Sequence, residues 1–205
     1  MSKWDKENIE KYSKLFTFSK EMVGKRVTEV RFYLEPTDKD FSEQPNPYGK
    51  SLFNGIDLKL NEKWFSIGNR FSMQNYGLEI DEGKTEQYEF VEESKTSMLY
   101  NRSVIKNQVI YSVYVYWLPI PWNDSIGYYP QEIEFRTNDG KYMIVSSLEI
   151  NAEEANTEFT DEVLVIENSE IAKKLRIGPY GDGTFKRKLF SDFNELKIND
   201  ESKWP

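Results

Sequence analysis

The run Val109-Ile-Tyr-Ser-Val-Tyr-Val-Tyr-Trp-Leu118 alternates without a break. Val109, Tyr111, Val113, Val115 and Trp117 fall on one side of a pleated chain, and Ile110, Ser112, Tyr114, Tyr116 and Leu118 on the other. Both sides are apolar or aromatic, so the run predicts a central strand covered on both faces. Shorter runs flank it with one wet face each: Val30, Phe32 and Leu34 among Arg31, Tyr33 and Glu35, and Ile56, Leu58 and Leu60 among Asp57, Lys59 and Asn61. Further on, Ile133 and Phe135 alternate with Glu132, Glu134 and Arg136. Asn138-Asp139-Gly140 then separates them from Tyr142, Ile144, Ser146, Leu148 and Ile150, and an Asp-Gly between alternating runs marks a hairpin. The expected class is mainly β, an antiparallel sandwich or two packed sheets in a single domain over residues 1–205.

Helix is scarce. Ser2 with Asp5 fits a capping box that opens a short amphipathic helix through Ile9, Tyr12 and Phe16, and Ser169 is placed to cap a short turn from Glu170 to Leu175 that Gly178 and Pro179 end. Phe185, Leu189, Phe193 and Leu196 share helical spacing without a clear cap, and residues 199–205 read as a frayed tail. Two proline-bearing stretches, Glu35 to Ser51 and Pro119 to Pro130, read as loops long enough to carry function.

The two halves of the chain, 25–95 and 107–183, answer one another weakly. Val30-Arg-Phe-Tyr-Leu-Glu-Pro36 matches Val113-Tyr-Val-Tyr-Trp-Leu-Pro119, Ile56-Asp-Leu-Lys-Leu matches Ile133-Glu-Phe-Arg-Thr, and Leu78-Glu-Ile-Asp-Glu matches Leu148-Glu-Ile-Asn-Ala. A duplication would give pseudo-twofold symmetry. Chance likeness between alternating β segments is the competing explanation.

The chain has no histidine and no cysteine. Ser-His-Asp and Cys-His nucleophiles, zinc sites built on those ligands, and disulfide or dithiol chemistry are thereby excluded. Ser103-Val-Ile-Lys106 has the spacing of a lysine-activated serine but lacks companion motifs, and Gly178-Pro-Tyr-Gly-Asp-Gly183 has neither phosphate-loop nor dinucleotide spacing. No metal, cofactor or nucleic-acid partner is expected. With no apolar leader and no long apolar span, the chain reads as a soluble cytoplasmic protein.

Charge is unevenly placed. Between Lys141 and Lys173 there is no basic residue, yet Glu149, Glu153, Glu154, Glu158, Asp161, Glu162, Glu167 and Glu170 all fall there, matching in number the net charge of −8 of the whole chain. Such a patch repels nucleic acid and anionic lipid and attracts basic proteins or hard cations. The loop around Trp122, Asp124, Tyr128 and Tyr129 adds aromatic residues of the kind that dominate interface hot spots.

In this general character, a small acidic β body with a carboxylate-rich segment and Asn-Asp-Gly-type turns, the chain resembles the immunity proteins that bacteria encode beside polymorphic or contact-dependent toxins. The resemblance spans the whole chain without a diagnostic motif and carries over no family residues. It implies a non-enzymatic protein that occludes a basic toxin domain. On that reading Glu153, Glu154, Glu158, Asp161 and Glu162 steer the partner, while Trp122, Asp124, Tyr128 and Tyr129 contact it. A carbohydrate-binding or carbohydrate-active sandwich with an aromatic platform, and a self-associating structural subunit, are the alternatives; the oligomeric state is open.

Overall fold

A computed structural model describes residues 6–33, 50–52, 55–69, 77–85, 103–122, 125–147, 149–151, 154–156, 163–183 and 186–200. The fold is mainly β. Helix α1 (Lys6–Met22) leads into β1 (Val27–Tyr33); β2 (Lys50–Leu52), β3 (Gly55–Leu60), β4 (Lys63–Asn69) and β5 (Leu78–Glu82) complete the first part. The second part holds β6 (Ile110–Trp122), β7 (Ser125–Thr137), β8 (Tyr142–Ser147), β9 (Glu149–Asn151), β10 (Glu154–Asn156) and β11 (Val163–Ile166), followed by α2 (Ser169–Lys174), a 3₁₀ turn at Gly178–Tyr180 and α3 (Phe193–Asn199). One antiparallel sheet has the order β1-β3-β4-β5, a second the order β2-β11-β8-β7-β6, and β9 and β10 pair only with each other.

Alternation explains the layering. Phe32, Ile56, Leu58, Phe65, Ile67 and Leu78 from the first sheet share one core with Trp117, Ile133, Phe135, Met143, Val145 and Val163 from the second. Each fully buried aliphatic or aromatic side chain contributes about 1.5–3 kcal/mol relative to exposure. Helix α1 adds Tyr12, Leu15, Phe16 and Met22, with the Phe16 ring stacked on Trp117 at 5.7 Å. On the outer face of the second sheet, Ile144, Leu164 and Ile166 meet Ala172 of α2, with Leu175 at its C-cap and Ile177 beyond it. Asn168, rather than Ser169, caps α2, its side chain accepting from the Glu170 amide at 2.9 Å. The expected cap of α1, Ser2 with Asp5, lies outside the described residues.

Three expectations need correction. The strand built on Val109–Leu118 is an edge strand, not a central one. Both of its faces are nonetheless covered from Val115 to Leu118, each of these residues being 7% exposed or less, while a bulge between Ile110 and Ser112 turns Ile110 into the core and leaves Tyr111 67% exposed. The stretch Pro119 to Pro130 is a hairpin ladder: Leu118 pairs with Tyr129, Ile120 with Gly127 and Trp122 with Ser125. Pro119 and Pro121 fit because the Trp117 amide and carbonyl point away from β7, to Lys188, so the prolines two and four residues on remove outward donors that an edge strand leaves unpaired. At the tail, Asn199 closes α3 and Asp200 is 7% exposed, accepting from the Tyr128 amide at 2.9 Å.

The two sheets repeat one another in register. Val30 opposes Leu58 and Phe32 opposes Ile56 as Val113 opposes Phe135 and Val115 opposes Ile133. The bulge between Val27 and Glu29 recurs between Ile110 and Ser112. Leu58 opposes Phe65 as Phe135 opposes Met143, and Ile67 opposes Ile80 as Val145 opposes Val165. Strand β5 therefore corresponds to β11, so Leu78 answers Val163 and not Leu148.

Candidate functional site

Two buried tyrosine–carboxylate hydrogen bonds lie on the outer faces of the two sheets, at matching places. Tyr33 donates to Asp57 Oδ2 at 2.5 Å, and Tyr116 donates to Glu134 Oε2 at 2.5 Å. The tyrosines hold equivalent places on β1 and β6, and each reaches diagonally to a carboxylate on the paired strand: Asp57 of β3 opposes Arg31, and Glu134 of β7 opposes Tyr114. Asp57 is fully buried and also accepts from the Thr85 amide at 2.9 Å and the Thr85 hydroxyl at 2.7 Å. Glu134 is 2% exposed and also accepts from Arg136 Nε at 2.7 Å. Burial, followed by the Glu134 hydrogen bond, pushes the Tyr116 hydroxyl far above its ordinary range, so it stays a protonated donor at any physiological pH. Such pairs satisfy the hydrogen-bonding needs of buried carboxylates. Replacing Tyr33 or Tyr116 by Phe should cost about 1–3 kcal/mol each, because a buried acceptor loses its donor; equal melts for wild type and both variants would contradict the assignment.

A third construction has no counterpart among the described residues of the first half, where Gly55 stands at the place of Glu132. Glu132, fully buried, receives Arg187 Nε at 2.8 Å and Arg187 Nη2 at 2.6 Å. This pair fastens the C-terminal segment across the second sheet, where Lys188 also exchanges two backbone hydrogen bonds with Trp117 at 2.9 Å and Phe190 packs edge-on against Tyr128 at 5.1 Å.

That segment decides the fate of two expected contact residues. Tyr128 is 3% exposed and Tyr129 5%, so neither offers a ring to a partner. Residue type suggests anchors; the strap and the neighbouring α1 and β5 supply the cover. Trp122 stands at the tip of the β6–β7 hairpin, opposite Ser125, with Pro121 beside it exposed and Ile126 45% exposed. Asp124 lies outside the described residues.

The acidic segment divides. Glu154 lies on β10, paired with Asn151 of β9, and Glu149 pairs with Asn156, so two of its carboxylate residues belong to a ribbon outside both large sheets. Glu153, Glu158, Asp161 and Glu162 lie outside the described residues. Glu167 serves the fold instead, accepting from the Ser103 hydroxyl and from the Val104 amide at 3.0 Å. The Ser103 hydroxyl is thus committed to a carboxylate. Glu170 is exposed in the first turn of α2.

Among the described residues no group of three or more carboxylates is placed to hold a metal ion, and no helix is long and apolar enough to cross a membrane. The cleft between α1 and β5, lined by Lys11, Tyr12, Leu15, Leu78, Glu79 and Pro130, offers about 10 Å³, room for one water. Sequence reading misses the tyrosine–carboxylate pairs and the Glu132–Arg187 pair. The first two leave a signal, since tyrosine stands fourth in both halves of one internal match and an acid second in both halves of another; the ion pair leaves none. Comparison with protein-family models, with curated proteins and with solved structures found no match.

Proposed function

We propose that this chain is a non-enzymatic cytoplasmic binding protein that captures a basic protein through its acidic segment, in the manner of a bacterial immunity protein bound to its toxin. One observation carries the reading. The connections at matching places in the two sheets can be compared directly, and what one carries beyond the other is free to serve something other than joining the strands. In the first half the connection from β4 to β5 runs from Arg70 to Gly77 and contains no carboxylate. At the equivalent place, the connection from β8 to β11 runs from Leu148 to Glu162, carries Glu149, Glu153, Glu154, Glu158, Asp161 and Glu162, and includes the β9–β10 ribbon. The added length and charge are not needed to join these two strands.

An acidic segment of this kind raises the encounter rate with a basic surface, and Trp122 at the hairpin tip supplies the apolar contact that slows release. Tyr128 and Tyr129 drop out of the contact set. The test is kinetic. Reversing Glu153, Glu154 and Glu158 to lysine should slow association with a basic partner domain by about tenfold or more at low salt and flatten the salt dependence, with the melting temperature unchanged. Association that keeps its rate and its salt slope in the triple variant removes the acidic segment from the function.

A further inference from the structure

The symmetry of the two halves extends to the contact between them. Arg26 and Val109 hold equivalent positions ahead of β1 and β6, and they form an antiparallel bridge with each other. Its hydrogen bonds come in exchanged pairs. The Val27 amide donates to the Gln108 carbonyl at 2.8 Å, and the Ile110 amide, its equivalent, donates to the Lys25 carbonyl at 2.9 Å. The Asn107 amide donates to the Val27 carbonyl at 2.7 Å, and the Gly24 amide donates to the Ile110 carbonyl at 2.9 Å. Gly24 and Asn107 even share the left-handed conformation, at φ +81° and +66°. On the last residues of β4 and β8, again equivalent, Asn69 Nδ2 donates to Ser147 Oγ at 2.9 Å.

Residues that contact their own equivalents lie on a twofold axis, as in an isologous dimer, where residue i meets j and j meets i. The halves also exchange structure. Strand β2, from the connection between the first two long strands of the first half, joins the second sheet beside β11. In the equivalent arrangement, Pro130, within β7, closes on Gly77 just ahead of β5: a Cβ on Gly77 would lie 2.9 Å from its ring and carbonyl oxygen.

We infer that the chain is two fused copies of one four-stranded unit, and that the contact between its halves is a homodimer interface carried within a single chain. The surface that such a unit would offer to a second copy is already occupied internally. This stands independently of the proposed binding function.

The exchange of the axis residues tests it in the full chain. Asn69→Ser and Ser147→Asn, made singly, should each lower the melting temperature by about 3 °C, the loss of one hydrogen bond in a chain of this size. Made together, they put the same pair on the axis with the partners interchanged, and the melting temperature should return to within about 1 °C of wild type. Losses that simply add would overturn the inference. Because an asparagine at the buried Ser147 position could prevent folding, a second measurement uses the wild-type protein. Hydrogen exchange should give Val27 and Ile110 matching protection, and likewise Gly24 and Asn107, to within about threefold, since bonds across one symmetric contact open together. Protection that differs about a hundredfold or more between the equivalents would sink the idea.

Discussion

Replacing Arg187 by Met should lower stability by about 3–5 kcal/mol at neutral pH, since the change leaves a buried carboxylate without its cation. Arg187 Nε reaches both Glu132 oxygens at 2.8 Å, and the two side chains are 2% and 0% exposed. Burial pushes the Glu132 carboxyl above its ordinary range, while the Arg187 charge, its hydrogen bonds and the Gly178 backbone pull it back. Without Arg187 the upward push is less opposed. A folded-state pKa above the unfolded one makes stability fall as pH rises from the ordinary carboxylate value, near 4.3, through the raised one. The deficit of the variant should therefore be larger at pH 7 than at pH 4.5, close to the ordinary carboxylate value, where protonation of Glu132 relieves the stranded charge. The double variant Glu132→Gln, Arg187→Met should recover much of the loss, because no charge is then stranded. Urea melts of the three proteins at both pH values check this; a single-variant deficit that does not change with pH would show that Glu132 is not the stranded group.

The second large effect is expected at Gly55. Its φ is +102°, and a Cβ there would lie 2.1 Å from the Ile67 carbonyl oxygen and 2.7 Å from the Gly68 Cα. Those are backbone atoms of the paired strand β4, and they cannot swing aside as a flexible side chain can. Gly55→Ala should cost about 3 kcal/mol or more, the sum of left-handed strain and overpacking. Gly140→Ala is the control. That glycine is also at positive φ, +79°, but with open space around the added carbon, so only the strain of about 1–2 kcal/mol applies. Thermal midpoints separate the two, with Gly55→Ala falling by about 6–12 °C. Equal shifts would mean that the close approach to β4 is relieved elsewhere.

Much of the fold is legible because its strands alternate over a shared core. Ile133, Phe135 and the Asn138-Asp139-Gly140 turn can be read from period and from glycine alone, and Gly140 does adopt the positive φ that the turn requires. The hairpin tip is hidden because proline reads as a breaker, whereas an edge strand accommodates it wherever the missing donor would face outward. Residue type marks Tyr128 and Tyr129 as contacts, but their exposure is set by a segment some sixty residues further on. Glu132 and Arg187 sit far apart in sequence, and only the closing of that segment over the sheet brings them together. The acidic segment is visible as composition; what composition does not convey is that one half of the molecule does without it.

The placement of β2 has a consequence for the order of events as the chain is made. Leu52 pairs with Val163, and Lys50 with Val165, so a strand synthesised early has its partner about 110 residues later. At typical rates of synthesis the interval is on the order of ten seconds. Throughout that time the first half can assemble β3, β4 and β5 by neighbouring contacts, but β2 has nowhere to go. Completion of the second sheet is therefore a late, long-range step, and such steps are slow because loop closure must precede the contacts that reward it. A nascent chain halted before residue 163 is a half-closed object with one strand in search of its mate, and that is when this protein is most open to chaperones or to a stray neighbour.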